Sequence, residues 1–532
     1  GNYNANYQWQ DPLQTDPALK DAAKRASVNS NTRFTVGVKL QDIGNSIFGK
    51  ATPFGRPSGS SRSSKAPQDA NSGGSIWQDI ADVFQSIFFD WERLNLTFNQ
   101  TNASINPGVF GSTGFDNFWG RGITGRESQL HRGPSFAYQL GLISNPHGSF
   151  KMLKSDRFPY FGFEAKDGPR PANAVFQDNF NQSSNFDIKT SRKILENMSI
   201  DLNWKSTLGY NRNYTVDTDE NGIPTYSNIM ITENLNRTFI TGPKLFGVHF
   251  FGNSIENVVN IFNEKRISID NNPNMDTVTK NQALHAALAE SFYEGLEAFS
   301  FTSGNIGKFL PSINWSFRWE GIEKWAIWNG LIKHMQIEHA YTSTYVENAQ
   351  VTDIGRSLGT QTINSGFSPL FGVSASFDEK IFKGILKASV KWSQTTAYSA
   401  TAASGAIISM QNTTDITATA SYVMKGFEFP LFGISLKNDF EVSFLFTYKD
   451  NNTGTYDVLD RGSFTGENVD GRTLTGNTQI IIEPRARYNI SQIITASFFI
   501  RYEGTFNEGA AQPGYHTLQI GLDIMLNISG GR

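Results

Sequence analysis

The stretch NMSIDLNWKSTLGYNRNY, residues 197–214, alternates between apolar and polar side chains almost without fault. Met198, Ile200, Leu202, Trp204, Leu208 and Tyr210 share one face, with Ser206 the single polar exception. Ser199, Asp201, Asn203, Lys205, Thr207 and Gly209 share the other. Side chains of an extended strand project to opposite faces with a period of two, so one face is apolar and the other wetted. Strands of soluble domains usually run about 5–6 residues, and this one is at least twice as long.

The pattern recurs on both sides of that stretch. Phe34, Val36, Val38 and Leu40 alternate with polar neighbours, as do Leu94, Leu96 and Phe98, then Ile313, Trp315, Phe317 and Trp319. The last third is the most regular: Ile416 to Met424, Phe440 to Tyr448, Ile480 to Ile490, Ile494 to Tyr502 and Leu518 to Ile528. Roughly sixteen strand candidates emerge, the first around Tyr3 to Trp9. A soluble sandwich also alternates, but three features favour a membrane wall. The strands reach the about 9–11 residues that a tilted strand needs to cross a bilayer core. Their polar faces carry Lys, Arg, Asp and Glu, which suits a water-filled lumen. Tyr and Trp gather near strand ends, at Trp325, Trp328, Tyr341, Tyr345 and Tyr398, where a membrane–water interface favours them. The expected fold is all-β: an antiparallel transmembrane β-barrel with a few amphipathic helices in long loops.

Composition narrows the function. With 46 basic and 49 acidic residues the net charge is −3, so nothing points to nucleic acid. Cysteine is absent, which excludes disulfides, thiolate metal sites and cysteine nucleophiles. No run of eighteen apolar residues predicts a transmembrane helix. The mean hydropathy of −0.36 is compatible with a barrel, whose apolar residues occupy every second position. Gly1-Asn-Tyr-Asn opens without the charged start or apolar stretch of a signal peptide, so a removed signal or a start partway along a larger protein is expected.

Three kinds of segment interrupt the strands. Residues 52–74, TPFGRPSGSSRSSKAPQDANSGG, are rich in Ser, Gly and Pro and predict a flexible loop. Ser75 can cap a helix over 75–88 in which Ile76, Ile80, Val83, Phe84 and Ile87 share a face. Helical periodicity also marks 253–265, through Ile255, Val258, Val259 and Phe262, and 282–299, through Leu284, Leu288, Phe292, Leu296 and Phe299. These inserts are too short and polar to span, and are expected on the barrel rim or inside its lumen.

Candidate chemistry is sparse. GRGITG, 120–125, matches a glycine-rich dinucleotide pattern but lacks the strand, helix and acidic residue that the fold needs. DTDENG, 217–222, begins like a calcium loop, yet its twelfth position is Asn228 and a hairpin tip explains it better. Glu290, Glu294 and Glu297 line one helical flank and read more simply as a solvated face than as acid–base partners. His334 and Glu338 share a strand face and read as lumen residues. The glycosylation-like triplets at Asn95, Asn99 and Asn102 read as wetted strand positions. No catalytic, cofactor or metal residue is assigned.

LPSINWSFRWEGIEKW (310–325), IEHAYTSTYVEN (337–348), FSPLFGVSASF (367–377) and LKNDFEVSFLFTYKDNNT (436–453) follow one another in an order that resembles the C-terminal part of the SprA/Sov family. Segments at 96–111, 202–215 and 253–266 are weaker echoes. That family comprises the outer-membrane translocons of the Bacteroidota type IX secretion system. The resemblance implies that residues 1–532 are the C-terminal part of a giant barrel in outer-membrane lipid. It implies passage of folded cargo carrying C-terminal targeting domains, gated sterically and without catalysis. Implied partners are the remaining part of the translocon barrel, a PorV-type lateral-gate barrel and a periplasmic plug protein. Two features depart from the family: its members are several times longer, and this chain ends NISGGR and not on an aromatic residue. An uptake barrel or porin, and a surface adhesin or gliding component, are the alternatives.

Overall fold

A computed structural model describes residues 1–11, 23–40, 91–111, 133–143, 170–239, 254–297, 313–352, 355–401, 407–431, 434–458, 472–508 and 513–526, apart from single positions within them, and a few isolated residues between. Its strands are β1 (Asn2–Gln10), β2 (Arg25–Lys39), β3 (Arg93–Pro107), β4 (Val175–Leu195), β5 (Met198–Thr218) and β6 (Pro224–Thr238). After the short β7 (Lys244–Leu245) and β8 (Val248–His249) come β9 (Asn314–Glu320), β10 (Ile332–Thr352), β11 (Gly355–Phe377) and β12 (Ile385–Thr401). The series ends with β13 (Ile407–Leu431), β14 (Ile434–Asp457), β15 (Arg472–Asn489), β16 (Ile494–Glu508) and β17 (Tyr515–Leu526). The helices are α1 (Phe136–Gln139), α2 (Ile255–Asp270), α3 (Thr277–Leu296) and α4 (Glu379–Phe382).

Fifteen strands form one antiparallel sheet, each hydrogen-bonded to its neighbours in chain order apart from the step at β6 and β9; β7 and β8 pair separately. Among the described residues β1 pairs only with β2, and β17 only with β16. The strands are tall. β10 has 21 residues and β13 has 25, well beyond the about 9–11 needed to cross a bilayer core.

Ladder pairing carries the alternation of residues 198–217 across the whole sheet. Val390 opposes Ala418, which opposes Phe446, then Ile482, Tyr502 and Leu518. On β5 the register with β4 is unbroken from Ser199 to Asp217, so Ile200, Leu202 and Trp204 lie on the same face as Leu208, Tyr210 and Arg212. That apolar face has two zones. Toward one end it is an open band: Phe34 and Val36 at the β2 side, Phe444 and Phe498 further round, and Leu518, Ile520, Leu522 and Ile524 on β17, the last four 64–67 % exposed. A band of alternate apolar residues left open to its surroundings is the composition that a bilayer core covers.

Toward the other end the same face is covered by the chain itself. Leu208, Tyr210, Leu235, Tyr345, Ile363 and Tyr398 join Val258, Phe262, Leu288, Phe292 and Leu296 of α2 and α3 in one buried core. A smaller core packs Ala26 and Val28 of β2 against Val109, Ala137, Tyr138 and Ile143. The helices, expected on the rim or in the lumen, pack on the apolar face, and they run 255–270 and 277–296 where 253–265 and 282–299 are predicted. Tyr341, Tyr345 and Tyr398 are buried there and do not sit at an open interface; Trp325, at the band's outer margin, is exposed. The predicted loop at 52–74 and helix at 75–88 lie outside the described residues.

Candidate functional site

The functional features of such a wall are its two faces and the places where its regularity fails. The largest failure is at β6. Its ladder with β5 runs from Thr218–Pro224 to Ser206–Arg237 and stops. Below it β9 continues the same line: Asn314 opposes Asn203 of β5, and Trp315 opposes Tyr341 of β10. β6 and β9 are thus two halves of one stave, with residues 239–313 inserted between them.

Backbone groups beside a gap must find other partners. The Lys205 N–H donates to Thr238 Oγ1 at 3.3 Å, and that hydroxyl donates back to the Lys205 carbonyl at 3.4 Å. On the β10 side the Ser343 N–H donates to Asn314 Oδ1 at 2.9 Å, and the Phe239 N–H donates to the Ser343 carbonyl at 3.2 Å. Tyr341 stacks on Trp315 at 4.3 Å and donates its hydroxyl to the Thr241 carbonyl at 2.6 Å. The break is bracketed on both sides.

Just above it Arg237 is completely buried. Its guanidinium lies 5.5 Å from the Phe239 ring, 5.1 Å from Tyr293 and 5.9 Å from Tyr345. It donates to the Tyr293 hydroxyl and lies 3.7 Å from Glu297 Oε1. Burial, the foremost influence, pushes the Tyr293 phenol well above its usual range, so it stays a neutral hydroxyl beside the cation. Gln361 of β11 donates to the Ala289 carbonyl of α3 at 3.1 Å and to the Tyr345 hydroxyl at 2.7 Å. The chain pins its helical pair to the wall with one cation, three rings and an amide. A parallel device fastens the smaller cover of Val109, Ala137, Tyr138 and Ile143, where Arg170 pairs with Asp178 at 2.5 Å beside Asn106 and Tyr138.

The helices fasten to each other as well. Gly295 of α3 sits so close to Val258 that an added Cβ would lie 2.6 Å from the Val258 nitrogen. Glu290 and Glu294 pair with Lys265 of α2 at 3.1 and 2.9 Å, so two of the three glutamates of the predicted solvated flank are cross-helix partners. Burial works against the Lys265 ammonium, but bonds to Glu294 and Glu290 outweigh it and raise its pKa.

The opposite face is polar. From β10 to β14 its in-register positions, such as Thr342, Asn364, Ser389, Thr395, Thr419 and Ser443, carry no Phe, Tyr or Trp between His334 and Thr352, Leu358 and Ser376, Ile385 and Thr401, Ile407 and Val423, or Asp439 and Asp457. Two shallow grooves cross it, of about 540 Å³ over Ser374, Ser389, Thr419 and Ser421 and about 330 Å³ over Thr344, Asn364, Thr395 and Thr413. Its charges pair locally: Lys391 with Glu338 at 2.6 Å, Arg485 with Glu483 at 2.9 Å, and Arg501 with Glu503 at 3.0 Å. His334 and Glu338 both lie on this face.

The remaining sequence candidates resolve simply. Asp219 in DTDENG accepts from the N–H groups of Asn221 and Ile223 at 2.9 and 2.8 Å, and Gly222 takes φ 73°, so the segment is a capped hairpin turn. Asn95, Asn99 and Asn102 lie within β3, the first two on the polar face and Asn102 on the covered one. GRGITG lies outside the described residues. Among the described residues no three His, Asp or Glu side chains converge as a metal site.

No family profile matches the chain, and no curated protein matches it. Among solved structures it is similar to a loop L8 deletion mutant of OmpT, an outer membrane protein of Vibrio cholerae, at 6 % identity. The match covers 65 % of this chain and 94 % of that one with a TM-score of 0.17, and a superposition that poor carries no inference about function.

Proposed function

We propose that residues 1–532 are part of the wall of a very large outer-membrane β-barrel that conducts folded proteins to the cell surface, as the resemblance to SprA/Sov translocons implies. The observation that carries the wall reading is the open sheet. The apolar band continues undiminished onto β17, whose outer side has no strand beside it among the described residues. Each unpaired N–H or C=O in lipid costs several kcal/mol (about the price of a lost hydrogen bond in hydrocarbon), so a lipid-facing edge needs a further strand. The fifteen sheet strands among the described residues are fewer than half of the about 36 in the largest known single-chain barrels.

Two experiments test this reading. Because the chain has no cysteine, single Cys pairs report strand neighbours cleanly. A cross-link between Tyr3→Cys and Ile520→Cys in the membrane would mean that the sheet closes on itself, and the partial-wall reading would fall. For conduction, depleting the protein should leave a folded reporter with a C-terminal targeting domain in the periplasm. Unchanged export after depletion would reject the translocon role and favour an uptake barrel or adhesin.

A further inference from the structure

We infer that the polar face between β10 and β14 is a non-adhesive track, fitted to folded, hydrated protein surfaces and not to a specific ligand. The inference rests on the conduction reading above and names the surface that serves it. Binding surfaces concentrate aromatic side chains, Met and Arg and are depleted in Ser and Ala. The track inverts that composition. Its in-register positions hold no Phe, Tyr or Trp, while the apolar face directly behind them carries Tyr341, Tyr345, Trp392, Tyr398, Phe444 and Phe446.

The groove over Thr344, Asn364, Thr395 and Thr413 is floored by short, uncharged side chains, and in the other Ser374, Ser389, Thr419 and Ser421 alternate with His334, Lys387, Leu445 and Glu483. Ser389 and Thr419 satisfy each other at 2.7 Å, and Thr413 donates to Asn451 at 2.8 Å. Hydroxyls that already have partners offer little to a passing surface, and they keep water close to the wall. On the track Lys391 pairs with Glu338 at 2.6 Å, and beside it on β15 and β16 Arg485 and Arg501 pair with Glu483 and Glu503 at 2.9 and 3.0 Å; such pairs leave little field beyond a Debye length of about 8 Å to hold cargo of either sign. A small-molecule transporter needs the reverse: a concave site with aromatic walls and a few converging polar groups.

The test adds adhesion without moving the wall. Ser389→Trp, Thr419→Trp and Ser421→Trp, singly and combined, place rings on the track. Ala388→Trp and Ala420→Trp place them on the lipid-facing side at the same height, and Ser389→Gln adds bulk without a ring. In cells exporting the folded reporter, the combined track variant should slow export on the order of tenfold and co-purify with stalled reporter. The lipid-side and Gln variants should export normally. Normal export through a correctly assembled combined variant, or equal slowing by Ser389→Gln, would overturn the inference while leaving conduction standing. Should the combined variant fail to assemble, the single variants decide, each expected to retain reporter in measurable amount. If depletion of the wild type leaves export intact, conduction itself fails and the track falls with it.

Discussion

The two zones of the apolar face have nearly the same sequence pattern and opposite surroundings. Ile200, Leu202 and Trp204 lie half-buried outside the covered core; Leu208 and Tyr210, on the same strand and face, lie buried beneath the chain's own insert. One zone is completed by solvent lipid, the other by protein. Lipid asks only for apolar surface, so the band is built of interchangeable Ile, Leu, Val and Phe. A protein cover asks for shape and hydrogen bonds, so the covered zone mixes Tyr345, Gln361 and Arg237 with its aliphatic residues. The difference between a wall and its sheath is polarity placed at intervals, not hydrophobicity.

Breaking the sheath at its cation should have the largest effect. Arg237→Ala leaves Glu297 and the Tyr293 hydroxyl without their buried partner, a loss of about 3–5 kcal/mol. The helical pair should then come away, seen as faster protease cleavage at the 271–276 turn with the strands intact. An unchanged cleavage rate would mean that packing alone holds α2 and α3.

On the band, charge should be refused on one side and accepted on the other. Phe446→Arg places a cation in lipid at a cost of about 2–4 kcal/mol, whereas Thr447→Arg points into water among Thr417 and Ile481 and costs little. Membrane-assembled, protease-resistant protein should fall for the first variant only. Equal yields would reverse or erase the assignment of faces.

The helix crossing comes next. Gly295→Ala forces a methyl against the Val258 backbone and should cost about 1–3 kcal/mol, loosening the pair without touching the band. The readout is hydrogen exchange in α3, which should rise while β13 and β14 stay protected. Exchange that does not change would show that the helices slide apart at no cost.

The smallest effect concerns pH. Asp276 caps α3, accepting from the Thr279 N–H at 2.8 Å, and bonds from the Thr279 side chain and backbone hold its carboxyl below the usual 3.8. A folded value below the unfolded one means that the cap stabilises above pH 3.8 and is lost as pH falls through the lowered value. The difference in helix signal between wild type and Asp276→Ala should therefore be full near neutrality and vanish in strong acid. A difference that persists in acid would assign the cap to something other than the carboxylate.

Strand periodicity was legible in the sequence because each residue's face follows from its number alone. Ile200 and Tyr210 could not be told apart, since lipid and an overlying helix demand the same apolar position; hence α2 and α3 were expected at the rim or in the lumen. The amphipathic pattern at Ile255, Val258, Val259 and Phe262 marked the helix but not what it faces. The broken stave was invisible for another reason. The alternation at Ile313, Trp315, Phe317 and Trp319 reads as an ordinary strand, and only the pairing of β9 and β6 with β5 and β10 shows that the two are one stave. Arg237 carried a faint signal, a lone cation among apolar neighbours at a strand end, yet its rings come from residues far along the chain.

The interrupted stave also changes how the wall carries load. In an ordinary stave, tension along the strand runs through covalent backbone from rim to rim. Here tension arriving at Thr238 has no covalent path down the wall to Asn314. It must pass sideways into β5 and β10 through the bonds that bracket the gap, or travel out through the helical insert and back. At the height of the break the sheet is therefore a mechanical fuse. A pull too weak to part any continuous strand can shear this one from its neighbours and leave the rest of the wall standing.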